Sequence, residues 1–155
     1  MATEIERKYL VRGDAWRARA GRQLRYRQGY LANTRHCSVR VRVGGDAAHL
    51  NIKSATVGVS RLEFEYPVPL EDAEIMLREL CHGSIIEKTR YFVRHLDQDW
   101  EVDVFEGDNA GLVVAEIEFE DEAQTVTLPD WAGEEVSHDV RYYNSNLAVA
   151  PFSKW

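Results

Sequence analysis

Acidic and basic residues recur along this chain as same-sign pairs two positions apart. Glu4 and Glu6 are followed by Lys8, and then come Arg40 with Arg42, Asn51 with Lys53 and Glu63 with Glu65. Lys88 with Arg90, Glu101 with Asp103 and Glu116 with Glu118 continue the series. Clustered carboxylates suit a hard divalent cation such as Mg2+ or Mn2+. Clustered arginine and lysine suit a polyanion, and arginine can grip phosphate oxygens through two parallel hydrogen bonds. A metal-bound polyphosphate would use both kinds of pair.

Such pairs can act together only if each shares one face of an element. In a β-strand, residues i and i+2 do so. The surrounding sequence reads as short strands bounded by Gly, Pro, Asn and Asp: 3–11, 23–32, 36–43, 50–53, 61–68, 85–93, 99–105 and 111–120. Gly44-Gly45-Asp46 reads as a hairpin turn, because glycine tolerates positive φ. Residues 70–80 carry apolar positions at helical spacing, Asp14 is placed to cap a short helix through Ala20, and 139–149 reads as a final helix after the break at Pro129. Roughly eight strands and few helices make a mainly β (α+β) protein of barrel or sandwich type.

The alternation has two readings. It can be the wet outer face of an ordinary sandwich. Alternatively, the charged faces turn inward and line a closed barrel of about eight strands, wide enough for a small ligand. The second reading is favoured by composition. These faces carry little besides Glu, Asp, Arg and Lys, the pairs are same-sign, and almost every strand has one. Charges turned inward lose water and repel, a cost that a metal-polyanion ligand would offset.

Other classes fit poorly. The net charge of −7 argues against general nucleic-acid binding. No apolar run reaches the length of a membrane span, and the N-terminus lacks a secretory leader's apolar core, so a cytoplasmic protein is expected. Cys37 and Cys81 lie far apart, and the five histidines are scattered, so a thiolate or imidazole metal site is not expected. The four tryptophans are too dispersed for a stacking platform and read as packing residues. Length and composition fit one domain over residues 1–155.

Glu4-Ile5-Glu6-Arg7-Lys8 resembles the ExExK signature of the CYTH superfamily, the triphosphate tunnel metalloenzymes. Arg40-Val41-Arg42, Lys53, Glu63-Phe64-Glu65, residues 87–91, Glu101-Val102-Asp103 and Glu116-Ile117-Glu118 match the family in order. Residues 27–31 resemble the second strand of its short bacterial members, the inorganic triphosphatases, and 131–136 with 139–142 resemble their C-terminal segment. The stretch 54–60 is less glycine-rich than in those forms, and 151–155 matches nothing in them.

The resemblance implies an eight-stranded antiparallel β-barrel forming a charged tunnel. It implies divalent metal, Mg2+ or Mn2+, on Glu4, Glu6, Glu116 and Glu118, with Asp103 as a further candidate. It implies a triphosphate held by Lys8, Arg40, Arg42, Lys53, Lys88 and Arg90, with Arg141 completing the grip at one mouth. The implied reaction is hydrolysis of inorganic triphosphate to pyrophosphate and phosphate by metal-activated water. Lys8, Lys53, Glu63, Glu65 and Lys88 are the candidates for catalytic roles, among them taking the water's proton. Adenylate cyclase, or hydrolysis of thiamine or nucleoside triphosphates, is the rival on the same fold. A non-catalytic polyphosphate-binding module is the rival of another class.

Overall fold

The computed structural model describes residues 2–155; Met1 lies outside the described residues. Nine strands carry the fold: β1 (Thr3–Val11), β2 (Ala20–Asn33), β3 (Cys37–Gly44), β4 (Ala47–Ser54), β5 (Ser60–Val68), β6 (His82–His95), β7 (Gln98–Phe105), β8 (Val113–Phe119) and β9 (Ala132–Glu135). Two α-helices interrupt them, α1 (Leu70–Glu79) and the single-turn α2 (Asn144–Leu147). Every pairing is antiparallel, in the order β5-β4-β3-β2-β6-β7-β8-β1, and β1 pairs again with β5 to close an eight-stranded barrel.

Closure is lopsided. One edge of β1 runs along β8 from Ile5 to Leu10. The other edge is divided: Thr3 to Ile5 pair with β5, while Tyr9 and Val11 pair with β9. The short ninth strand thus satisfies backbone groups of β1 that β5 leaves free.

The outside of the barrel is apolar where other segments cover it. Tyr9, Trp100, Val102, Ala115 and Ile117 pack beneath Trp16, Trp131 and Ala132. Tyr9 and Trp131 both meet the Trp100 ring edge-on, at 5.6 and 5.4 Å. Val41, Val43 and Ala48 pack beneath Ala73 and Leu77 of α1. The expected packing role of the tryptophans therefore holds for Trp16, Trp100 and Trp131, whereas Trp155 is about half exposed.

One end of the interior is also apolar. Continuing the inward series by two residues leads from Lys8 to Leu10, from Lys88 back to Ile86, from Asp103 to Phe105 and from Glu116 back to Val114. These residues join Tyr30, Leu112, Leu147, Ala148 and Phe152 in a second core. The C-terminal segment therefore plugs this end of the barrel.

The hairpin turn forms as expected, with Gly45 at φ +61°. Two helix expectations are corrected. Residues 15–19 form a 3₁₀ helix, and Asp14 makes no side-chain capping bond. The final helix over 139–149 is broken into a 3₁₀ turn at Val140–Tyr142 and the short α2, because Tyr143 between them is extended at φ −70°, ψ 135°. Its hydroxyl donates to the Ser137 carbonyl at 2.6 Å and accepts from the Gly58 N–H at 3.0 Å, which holds the chain there against the helix.

Candidate active site

Alternate residues of all eight barrel strands line one cavity of about 380 Å³. Glu4, Glu6 and Lys8 come from β1, Arg40 and Arg42 from β3, Lys53 from β4, and Glu63 and Glu65 from β5. Lys88 and Arg90 come from β6, Glu101 from β7, and Glu116 and Glu118 from β8. The charged faces point inward, and the sandwich with a wet charged exterior is excluded.

The lining is sorted by charge. One carboxylate oxygen from each of Glu4, Glu6 and Glu118 lies within 4.8 Å of the others. Burial raises the pKa of all three. Glu6 is pushed up to about 8, by burial first and then by the charges of Glu116 and Glu4. Three crowded oxygen donors that resist ionisation are what a hard divalent cation would relieve. These residues fit Mg2+ or Mn2+ by donor type and crowding.

Glu116 and Asp103 lie differently. Glu116 faces Lys8 at 3.5 Å and Arg90 at 3.8 Å. Its pKa is held well below the usual range, because Lys8, Arg90 and other cations outweigh burial. Asp103 is 0% exposed, with Lys88 Nζ donating to Oδ2 at 2.7 Å and Arg90 donating to both oxygens at 2.8 and 2.9 Å. Both lone-pair directions are thus taken by cations. Asp103 fastens Lys88 and Arg90 and lies outside the group of Glu4, Glu6 and Glu118.

The cations fall into two groups. Lys53 sits between Glu4 at 3.3 Å and Glu63 at 3.1 Å. Arg90 also reaches Glu101 at 2.8 Å. Arg40, Arg42 and Arg61 are poorly neutralised. Among the described residues Arg40 meets only the Asn51 amide oxygen, at 3.4 Å. Arg42 lies 3.8 Å from Glu65 and stacks on the Tyr26 ring at 4.3 Å, and burial followed by repulsion from Arg40 and Arg90 lowers its pKa. Arg61 lines the cavity, donates from Nη2 to the Gly58 carbonyl at 3.3 Å and has a buried Nε with no partner among the described residues. Arg40 and Arg42, neighbours on the inward face of β3, form an anion site by electrostatics, whereas Arg61 stands opposite Glu4 in the β1–β5 pair.

Arg141 is not brought to the cavity. Its side chain is 62% exposed and bound to Asp139 two residues away. Three residues absent from the sequence expectation do line or support the site. Arg61 continues the i+2 series of Glu63 and Glu65, so its signal was present. Gln28 lies between Tyr26 and Tyr30 on the inward face of β2. Asn144 enters from α2 and accepts at Oδ1 from Lys88 at 3.0 Å and Gln28 at 2.8 Å.

The CYTH domain model matches residues 2–146. The chain is 46% identical over 155 residues to an inorganic triphosphatase of Acetivibrio thermocellus, covering 100% of this chain and 99% of the relative. It is 40% identical over 156 residues to an inorganic triphosphatase of Nitrosomonas europaea, covering 96% and 98%. The crystal structure of the inorganic triphosphatase NE1496 superposes with a TM-score of 0.69 at 37% identity, covering 96% of each chain. A Hippeastrum adenylyl cyclase homologue, described as having dominant triphosphatase activity, superposes at 0.61 over 76% of this chain and 80% of its own. At 16% identity that likeness shows the fold alone.

Proposed function

The chain belongs to the CYTH domain family, and from that membership we propose that it is a divalent-metal-dependent inorganic triphosphatase, cleaving triphosphate to pyrophosphate and phosphate with water. Near-full-length identity to two inorganic triphosphatases supports this substrate over a nucleotide. The observation that carries the reading is the lining of one cavity, which brings crowded carboxylates of β1 and β8 together with the poorly neutralised arginines of β3.

Glu4, Glu6 and Glu118 would hold Mg2+ or Mn2+. When bound, the cation supplies charge neutralisation at phosphate oxygens and lowers the pKa of the attacking water. Arg40 and Arg42 would hold the triphosphate through their guanidinium donors. Lys8, Lys53, Lys88 and Arg90 add positive charge along the cavity, where the leaving pyrophosphate develops negative charge. Phosphoryl transfer needs little covalent help, so positioning and charge supply most of the rate. Among the candidates for taking the water's proton, Lys88 has a pKa near neutrality: burial lowers it to about 8 against the opposing pull of Asp103. Glu63 is committed to Lys53, and Glu65 to Asn51.

Two variants separate the halves of the site. Glu118→Gln should raise the Mg2+ or Mn2+ concentration needed for half-maximal hydrolysis, with little change in triphosphate KM at saturating metal. Arg40→Ala should raise triphosphate KM by about tenfold to a hundredfold, the worth of a hydrogen bond to a charged group. Unchanged metal and substrate titrations in both variants would remove the assignment.

A further inference from the structure

We propose that Asn144 is a further substrate-binding residue of the tunnel, donating from its amide nitrogen to a phosphate oxygen, and that Gln28 is the residue that positions it. The inference rests on the triphosphatase reading above. The orientation of the Asn144 amide follows from chemistry. Paired with the Asp103 carboxylate at 2.7 Å, the Lys88 ammonium donates, so the atom facing it at 3.0 Å is the carbonyl oxygen. That same oxygen takes a second bond, at 2.8 Å, so the Gln28 atom reaching it must be the amide nitrogen. Two donors thus fix one end of Asn144.

The other end is Nδ2, which has no partner among the described residues and is not among the sealed-off polar atoms. Asn144 lines the cavity, and the Nδ2 group is therefore the part of it left to meet a ligand. The segment around it is anchored at both ends. Leu147, three residues on, is fully buried in the apolar plug, and the neighbouring Tyr142 carbonyl accepts from Lys8 Nζ at 3.2 Å. A neutral donor held by Lys88 and Gln28 is suited to a phosphate oxygen, because it adds a hydrogen bond without adding repulsion to the cations of the lining.

Gln28 is completely buried, and its Oε1 has no partner among the described residues. Leaving a buried carbonyl oxygen unpaired costs stability. That cost accompanies a side chain whose one visible bond is to Asn144, which supports a positioning role.

Asn144→Asp tests the proposal, because aspartate keeps the acceptor for Lys88 and Gln28 and replaces the donor with a negative oxygen. Steady-state hydrolysis of inorganic triphosphate by the full chain, at saturating Mg2+ or Mn2+, is expected to show KM raised by at least about tenfold. Gln28→Leu is expected to raise KM less, by about threefold to tenfold. Thermal unfolding in EDTA, with and without triphosphate, checks folding and binding separately from turnover. If Asn144→Asp does not fold, Asn144→Ala takes its place, with the same tenfold expectation for KM. A KM within twofold of wild type in the folded variant would overturn the proposal. So would a fall in kcat alone, which would assign Asn144 to holding Lys88. Wild-type protein that neither hydrolyses triphosphate nor is stabilised by it would overturn the underlying function as well. A normal wild type beside an unaffected variant removes Asn144 alone.

Discussion

Glutamine at position 6 would keep the shape of Glu6 and remove its charge. The carboxyl of Glu6 is pushed up to about 8, by burial first and by Glu116 and Glu4 next, from an ordinary value of 4.5. A folded-state pKa above the unfolded one means that stability is fully present below pH 4.5 and is lost as pH rises towards 8. At pH 7 the unfolded chain has ionised this group, while the metal-free folded protein still holds its proton. Over about 2.5 pH units, at about 1.36 kcal/mol each, the cost is at most about 3–4 kcal/mol. Water entering the tunnel and relaxation of neighbouring carboxylates bring the expected gain of Glu6→Gln to about 1–2 kcal/mol. For a chain of this size that corresponds to a rise in Tm of about 2–8 °C. The assay is thermal unfolding in EDTA at pH 7 and again at pH 4.5. The variant should be the more stable at pH 7 and nearly equal to wild type at pH 4.5. With Mg2+ replacing EDTA at pH 7, wild type should gain stability and the variant much less. Equal melting of the two proteins in EDTA at pH 7, or equal stabilisation by Mg2+, would refute the reasoning.

Two further substitutions probe what holds the tunnel in shape. Asp103→Asn leaves Lys88 and Arg90 buried beside each other without their shared anion, and should lower unfolding free energy by about 3–5 kcal/mol in urea titration. Leu147→Ala opens a cavity in the apolar plug and should cost about 2–5 kcal/mol by the same titration. It should also reduce triphosphate hydrolysis, because α2 carries Asn144 into the tunnel.

The strands and their inward faces were legible because strand periodicity is local. Arg40 and Arg42 share a face whatever the rest of the chain does. Helix α1 was legible for the same reason. The C-terminal region was not. Tyr143 is held extended by Ser137 and by Gly58, the latter 85 positions away in sequence, and no local pattern encodes that bond. Strand β9 has four residues and exists because β5 leaves part of β1 unpaired. The division among the carboxylates was equally hidden. Asp103 and Glu116 look like Glu6 and Glu118 in sequence, and only cross-strand register puts Arg90 opposite Asp103 and Lys8 opposite Glu116. Arg141 appeared suited to the tunnel mouth, but a nearby Asp139 captures it. The closed end of the barrel was partly legible, since the inward series runs on into Leu10, Ile86, Phe105 and Val114. Asn144 was not, because its role depends on a helix that packs back from the end of the chain.

Phosphate release by the purified protein tests the central claim most directly. Inorganic triphosphate, ATP, thiamine triphosphate and pyrophosphate would each be supplied with Mg2+, Mn2+ or EDTA. The tunnel chemistry predicts release mainly from inorganic triphosphate, with either cation and none in EDTA. Release that persists in EDTA, or metal-dependent release from ATP or thiamine triphosphate that exceeds release from triphosphate, would contradict it.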